Sequence, residues 1–164
     1  MKKNIETDTH VYFYTNEFSN FYKCEIPYVT PLYHITFYSS EQLFMYLKAV
    51  YFDDPIAIEK LLKKVSPEEA KKIGRSVQNY DDAKWNSIRL NMMIDAVYHK
   101  FSNNPRLKQK LLDTGEKILV EASKTDDIWG VGLAASDPLI LDKRNWKGRN
   151  LLGEALMQVR NKLK

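Results

Sequence analysis

Four times in the middle of this 164-residue chain a capping residue stands directly in front of a helical run, and that punctuation limits the possible folds more than any other feature. Short oxygen-bearing side chains at such positions accept hydrogen bonds from the first backbone N–H groups, which a helix cannot satisfy internally. Ser39 followed by Gln42 forms a capping-box pattern, so a helix is expected to begin there and to carry Glu41, Phe44, Leu47, Lys48 and Tyr51. Asp54 precedes Pro55 at a first helical position, and Ile58, Leu61, Leu62 and Val65 keep helical spacing behind it. Ser66-Pro67-Glu68-Glu69 combines a cap, a first-turn proline and a capping-box glutamate, with Gly74 as the stop. Asn104-Pro105 opens a further helix through Leu107 and Leu111 to Gly115. A long helix from about Asp82 to Ser102 is predicted by Trp85, Ile88, Met92 and Ala96, and a last one, capped by Asn150, by Leu152, Ala155, Leu156, Val159 and Leu163.

Strand signals are fewer. Val11-Tyr12-Phe13-Tyr14 and Tyr33-His34-Ile35-Thr36-Phe37-Tyr38 carry clustered aromatic and branched residues, and Ile118-Leu119-Val120 within 117–122 follows a helix-ending glycine. Thr15 to Tyr22 reads as an irregular loop. Ser123 to Arg149 has no period and holds Gly130, Gly132, Pro138 and Gly148; a loop of this length in a compact domain points to function or disorder, and its two tryptophans argue against disorder. The expected fold is α+β, mainly α-helical, with several helices and a small β-sheet in one domain over residues 1–164.

Composition removes several classes. With 44% hydrophobic and 28% charged residues the chain is an ordinary globular one. Cys24 is the only cysteine, which excludes an internal disulfide and a cysteine-rich zinc site and fits a reducing compartment. No apolar run has the length a membrane helix needs, so a cytoplasmic protein without a membrane partner is expected. The net charge of +4 suits phosphate-bearing ligands or nucleic acid, although Lys60, Lys63, Lys64, Lys71 and Lys72 read equally as solvated helix faces.

Familiar catalytic motifs are absent: there is no glycine-rich phosphate loop, HExxH or GxSxG, and His10, His34 and His99 are scattered, so no metal is expected. Glu41 lies in the first turn of its helix, where the macrodipole favours an ionised carboxylate, whether that group is catalytic or merely a good first-turn acid. Lys48 returns to nearly the same face two turns later, about 10 Å along the axis. The pair suits a carboxylate and an ammonium at two ends of one sugar phosphate; the alternative is two unrelated surface groups. Asp126, Asp127, Trp129 and Gly130 stand together in the aperiodic loop, where an aromatic plane beside an acid suits a base joined to a sugar, or forms a solvated turn. Trp85 falls on an apolar helix face and reads as core.

A longer set of segments stands in a fixed order. It runs Phe18-Ser19-Asn20-Phe21; Ser39-Ser40-Glu41 with Lys48-Ala49; Gly74-Arg75; Trp85 with Arg89 and Met93; Lys100-Phe101; Leu112 with Thr114-Gly115; and Glu121-Ala122-Ser123. Asp126-Asp127-Ile128-Trp129-Gly130-Val131-Gly132 follows, then Trp146-Lys147-Gly148-Arg149-Asn150-Leu151-Leu152-Gly153 with Leu156-Met157 and Arg160. Together, from about Phe13 to Arg160, these segments resemble the NADAR superfamily, also called YbiA-like.

The resemblance implies an N-glycosidase that needs no metal or redox cofactor. Short members are associated with hydrolysis of phosphoribosylamino-pyrimidine intermediates of riboflavin synthesis, releasing ribose 5-phosphate; others remove ADP-ribose from guanine bases in nucleic acid. It further implies that Glu41, Trp85 and Asp126 fall at active-site positions, with Asn20, Lys48, Arg75, Trp129, Gly130 and Asn150 around the substrate. Gln42 departs from the histidine that many relatives carry there. Cleaving a C–N glycosidic bond builds positive charge on the sugar carbon, which a preorganised carboxylate stabilises. Glu41 is the candidate, either for that role or as base toward water, with Asp126 orienting water or ribose hydroxyls, Trp85 or Trp129 stacking on the base, and Lys48 and Arg75 holding phosphate. The competing classes are a non-catalytic binder of ADP-ribose or NAD, which would dispense with Glu41, and a nucleic-acid-binding module, which would need a continuous basic surface.

Overall fold

The computed structural model describes residues 4–164, which form two compact units. The first joins the chain up to Ser19 with Lys108–Lys164; the second is the continuous stretch Asn20–Leu107.

In the first unit β1 (Ile5–Glu6) pairs antiparallel with β2 (His10–Phe13), and β2 pairs parallel with β5 (Ile118–Glu121) in the register His10 to Ile118 through Phe13 to Glu121. The sheet order β1-β2-β5 makes β2 central, and its Val11, Tyr12 and Phe13 are all buried. Helix α6 (Leu151–Leu163) packs on β5, burying Leu152, Ala155, Leu156 and Val159 at the spacing of one helix face. Tyr12, Val120, Ala122, Val131, Leu133 and Ile140 close a small core with Trp146 packed against it. The long aperiodic stretch is therefore ordered through burial. It also contains two 3-10 turns, Pro138–Leu141 and Lys143–Asn145, whose starts are capped by Asp137 and Asp142.

The second unit holds a hairpin of β3 (Ile26–Val29) and β4 (His34–Phe37), then α1 (Ser40–Tyr51), α2 (Pro55–Leu61), α3 (Pro67–Arg75) and α4 (Asp82–Ser102). Helix α5 (Pro105–Leu112) follows. Helix α1 is central: it packs on α2, α3 and α4, and its first six residues are all buried. Three of the five expected caps form as the sequence suggests, with Ser39 Oγ accepting from Gln42 N–H at 3.1 Å, Asp54 Oδ1 from Ala57 at 3.0 Å and Ser66 Oγ from Glu69 at 3.1 Å.

The fold is α+β and mainly helical, as expected, but it differs in three local respects. The small sheet is two sheets, because β1 and β3 carried no readable signal; β3 includes Pro27, which removes a ladder donor. Gly74 does not stop α3, which runs on to Arg75; a Cβ there would meet the Met45 side chain, with Sδ only 1.8 Å away, so the glycine serves the close approach of α3 to α1. Asn150 does stand before α6 but caps nothing with its side chain, adopting φ 54° and turning its amide elsewhere.

Candidate active site

The residues expected at the site fall into two groups, one in each unit. In the second unit, Asn20, Glu41, Lys48 and Trp85 are drawn together around α1. Asn20 is nearly buried and pins the preceding loop to the helix start: its carbonyl accepts from Glu41 N–H at 3.1 Å, its Oδ1 from Ser40 Oγ at 2.9 Å, and its Nδ2 lies 3.4 Å from Met93 Sδ. Glu41 is thereby fixed in the first turn with only 8% of its surface exposed. Its carboxylate benefits from the helix N-terminus, and its charge acts on Lys48 farther along α1.

Lys48 is half-buried, and burial pulls its ammonium below the ordinary lysine pKa while Glu41 opposes that shift. Its Nζ donates to the Gly74 carbonyl at 2.8 Å and stands 4.8 Å from the Tyr80 ring centre and 5.4 Å from that of Trp85. Trp85 is 5% exposed and packs on Phe44 at 5.4 Å and Phe52 at 6.0 Å, and Phe52 packs in turn on Tyr80. Trp85 is therefore core, as its period indicates, and at the same time one wall of a cation-bearing aromatic cluster. Arg75 ends α3 with its side chain exposed, next to the glycine that holds Lys48.

Gln42, where relatives were expected to carry histidine, is fully buried and structural. Its Oε1 accepts from Tyr38 N–H at 2.9 Å, and its Nε2 donates to the carbonyls of Leu61 at 2.9 Å and Lys63 at 2.7 Å. It ties the start of α1 to the end of α2, behind the residue that carries the acid.

In the first unit Asp126, Trp129, Gly130 and Asn150 are gathered where the loop meets α6. Asp126 Oδ1 accepts from Ile128 N–H at 3.0 Å and Trp129 N–H at 2.8 Å, which fixes the turn and the half-buried tryptophan. Gly130 is buried, and a Cβ on it would lie 2.9 Å from the Asp126 carbonyl oxygen, so backbone packing already requires glycine there. The same holds more sharply for Gly148, whose Cβ would lie 2.2 Å from the Gly130 carbonyl oxygen. Asn150 accepts from Glu121 N–H at 3.0 Å and donates to the Leu119 carbonyl at 2.9 Å. Its amide braces β5, so any effect on a ligand is exerted through the loop it holds.

The sequence reading singled out no role for Arg89. It lies one turn beyond Trp85 on the same face of α4, is 7% exposed, and its charge reaches Tyr80. The available signal was a charged residue at a core position of a periodic helix. Among the described residues there is no group of three His, Cys, Asp or Glu side chains placed to hold a metal ion, and no helix is long and apolar enough to cross a membrane.

Comparisons with known proteins bear on the family and the fold. The NADAR domain model matches residues 10–164. The N-glycosidase R617 of Acanthamoeba polyphaga mimivirus is 38% identical over 122 residues, covering 74% of this chain and 72% of that protein. The riboflavin biosynthesis protein PYRR of Zea mays is 34% identical over 137 residues, 79% of this chain but only 20% of that longer protein. The NMR structure of the E. coli protein YbiA superposes with a TM-score of 0.74 at 29% identity, covering 97% of this chain and 87% of that one. With a family match across both units, N-glycosidase relatives and the YbiA fold, the chain belongs to the NADAR family and is a glycosyl hydrolase of the N-glycosidase type.

Proposed function

We propose that this protein hydrolyses the C–N glycosidic bond of a phosphorylated ribosyl compound, with phosphoribosylamino-pyrimidine intermediates of riboflavin synthesis as its substrates. The observation that carries the reading is Glu41: a nearly buried carboxylate in the first turn of α1, with its charge acting on a half-buried ammonium beside an aromatic cluster. As the bond to the base nitrogen lengthens, that nitrogen takes the bonding pair, positive charge grows on the anomeric carbon and the ionised carboxylate stabilises it; water then adds its hydroxyl to the carbon and its proton ends on the departing nitrogen, giving the sugar phosphate and the free amine. In the first unit, Asp126 fixes the loop that carries Trp129 by accepting from the Ile128 and Trp129 amides. Asn20 and Asn150 act by holding the two loops in place. The maize and mimivirus relatives support the pathway and the reaction type respectively.

Glu41→Gln tests the reading, because it keeps the shape and removes the charge. Turnover of the riboflavin-pathway intermediate, followed by release of ribose 5-phosphate, should fall by roughly 10²-fold or more with an unchanged circular dichroism spectrum. Near-native turnover would remove Glu41 from the mechanism. A parallel assay on ADP-ribosylated guanine in DNA distinguishes the substrate classes: faster release of ADP-ribose there would replace the riboflavin assignment.

A further inference from the structure

Arg89 as a residue is only 7% exposed, its guanidinium makes no hydrogen bond or ion pair among the described residues, and its nitrogens are not among the fully enclosed unpartnered atoms, so the fork is reachable from solvent. A guanidinium carries five donors, and this one keeps them available to a ligand while its stem is packed in the fold. Its surroundings are partly known. Trp85 lies one turn earlier on α4, Tyr80 is close enough to feel its charge, and the Lys48 ammonium stands within 5.4 Å of both those rings. Lys48 itself is only partly satisfied, with the Gly74 carbonyl as its recorded hydrogen-bond acceptor. Lys48 stands over the Tyr80 and Trp85 rings and feels the charge of Glu41, and Arg89 lies one turn from Trp85 on the same helix. Such a pair of sparsely partnered cations fits an anion that completes them, and a planar fork beside a point charge matches a phosphate monoester.

We propose that Arg89 and Lys48 form the phosphate subsite of the second unit, with Arg89 rather than the exposed Arg75 supplying the guanidinium. This rests on the phosphoribosyl reading above, but product binding tests it without turnover. Calorimetric titration of the whole protein with ribose 5-phosphate, and separately with ribose, should show that Arg89→Met weakens the phosphorylated ligand by about tenfold to a hundredfold and leaves ribose unchanged. Should that variant lose its circular dichroism spectrum, Arg89→Lys keeps the charge and removes the fork, and a loss of about threefold or more is expected. Wild-type affinity for ribose 5-phosphate in a folded Arg89→Met or in Arg89→Lys overturns the proposal. So does loss of phosphate preference in Arg75→Met with retention in Arg89→Met. Arg89-dependent binding of ribose 5-phosphate without hydrolysis of any N-glycoside would uphold the subsite and remove the catalytic reading, whereas hydrolysis indifferent to the phosphate would do the reverse.

Discussion

Replacing Gln42 by glutamate changes one NH2 group into an oxygen at a site with no solvent exposure, and it should make stability strongly dependent on pH. In the native protein Nε2 donates to two carbonyls, those of Leu61 at 2.9 Å and Lys63 at 2.7 Å. An ionised carboxylate can donate to neither and faces both carbonyl dipoles. Two buried acceptors losing their donor cost about 1–3 kcal/mol each, so Gln42→Glu should lose roughly 2–6 kcal/mol at neutral pH before any charge penalty is added. A protonated carboxyl still offers one O–H, which recovers about half of that loss. Burial and the carbonyls both raise the pKa of the new group above its unfolded value. The stability difference from wild type should therefore be smallest below the unfolded carboxyl pKa and should grow as pH rises through the folded one. Urea titrations of both proteins at pH 4 and pH 7 measure it, and the background pH dependence cancels in the difference. Against a typical total of about 5–15 kcal/mol, the variant should be marginal at pH 7 and recover by roughly 2 kcal/mol or more at pH 4. Equal destabilisation at the two pH values would mean that the amide donors do not hold α2.

Other changes probe different parts of the chain. Asn150→Ala removes both hydrogen bonds to β5 and puts alanine at φ 54°, so urea unfolding should show a loss of about 3–6 kcal/mol, of which Asn150→Gly recovers only the torsional part, about 1 kcal/mol. Lys48→Met should lower kcat/KM for a phosphorylated substrate by about 1.5–3 kcal/mol relative to its dephosphorylated analogue; equal losses on both would assign Lys48 to structure. His99 bonds to Asp95, which holds its pKa above the ordinary imidazole value despite partial burial. Its stabilising contribution is complete below the unfolded pKa and is lost as pH rises through the folded one, and an NMR titration of Asp95→Asn should show the midpoint moving down.

What could be read in advance was local chemistry. Ser39, Asp54 and Ser66 cap their helices because the signal and its satisfaction lie within three residues of each other, and the shared face of Glu41 and Lys48 follows from helical geometry alone. What escaped was decided across the fold. β3 depends on a partner strand that rescues a proline-bearing segment, and Gly74 is glycine because of Met45, which no neighbour in sequence announces. Asn150 held its expected position with a different purpose, since the same short amide that caps helices also tolerates a left-handed backbone and can bridge to a strand. Lys48 was legible as a candidate, but its contacts with Gly74 and the Tyr80 ring were not. Arg89 was hidden in the core period of α4.

The parallel pairing of β2 with β5 imposes a timetable on synthesis. His10 finds Ile118 only after about a hundred further residues have been added, whereas every strand and helix packed within Asn20–Leu107 can settle as soon as that stretch emerges. At ribosomal speeds of about 5–20 residues per second, the apolar run Val11-Tyr12-Phe13 waits several seconds with its ladder groups open to any other chain. Capture of nascent protein by chaperones, or aggregation during rapid expression, should therefore concentrate on this N-terminal segment.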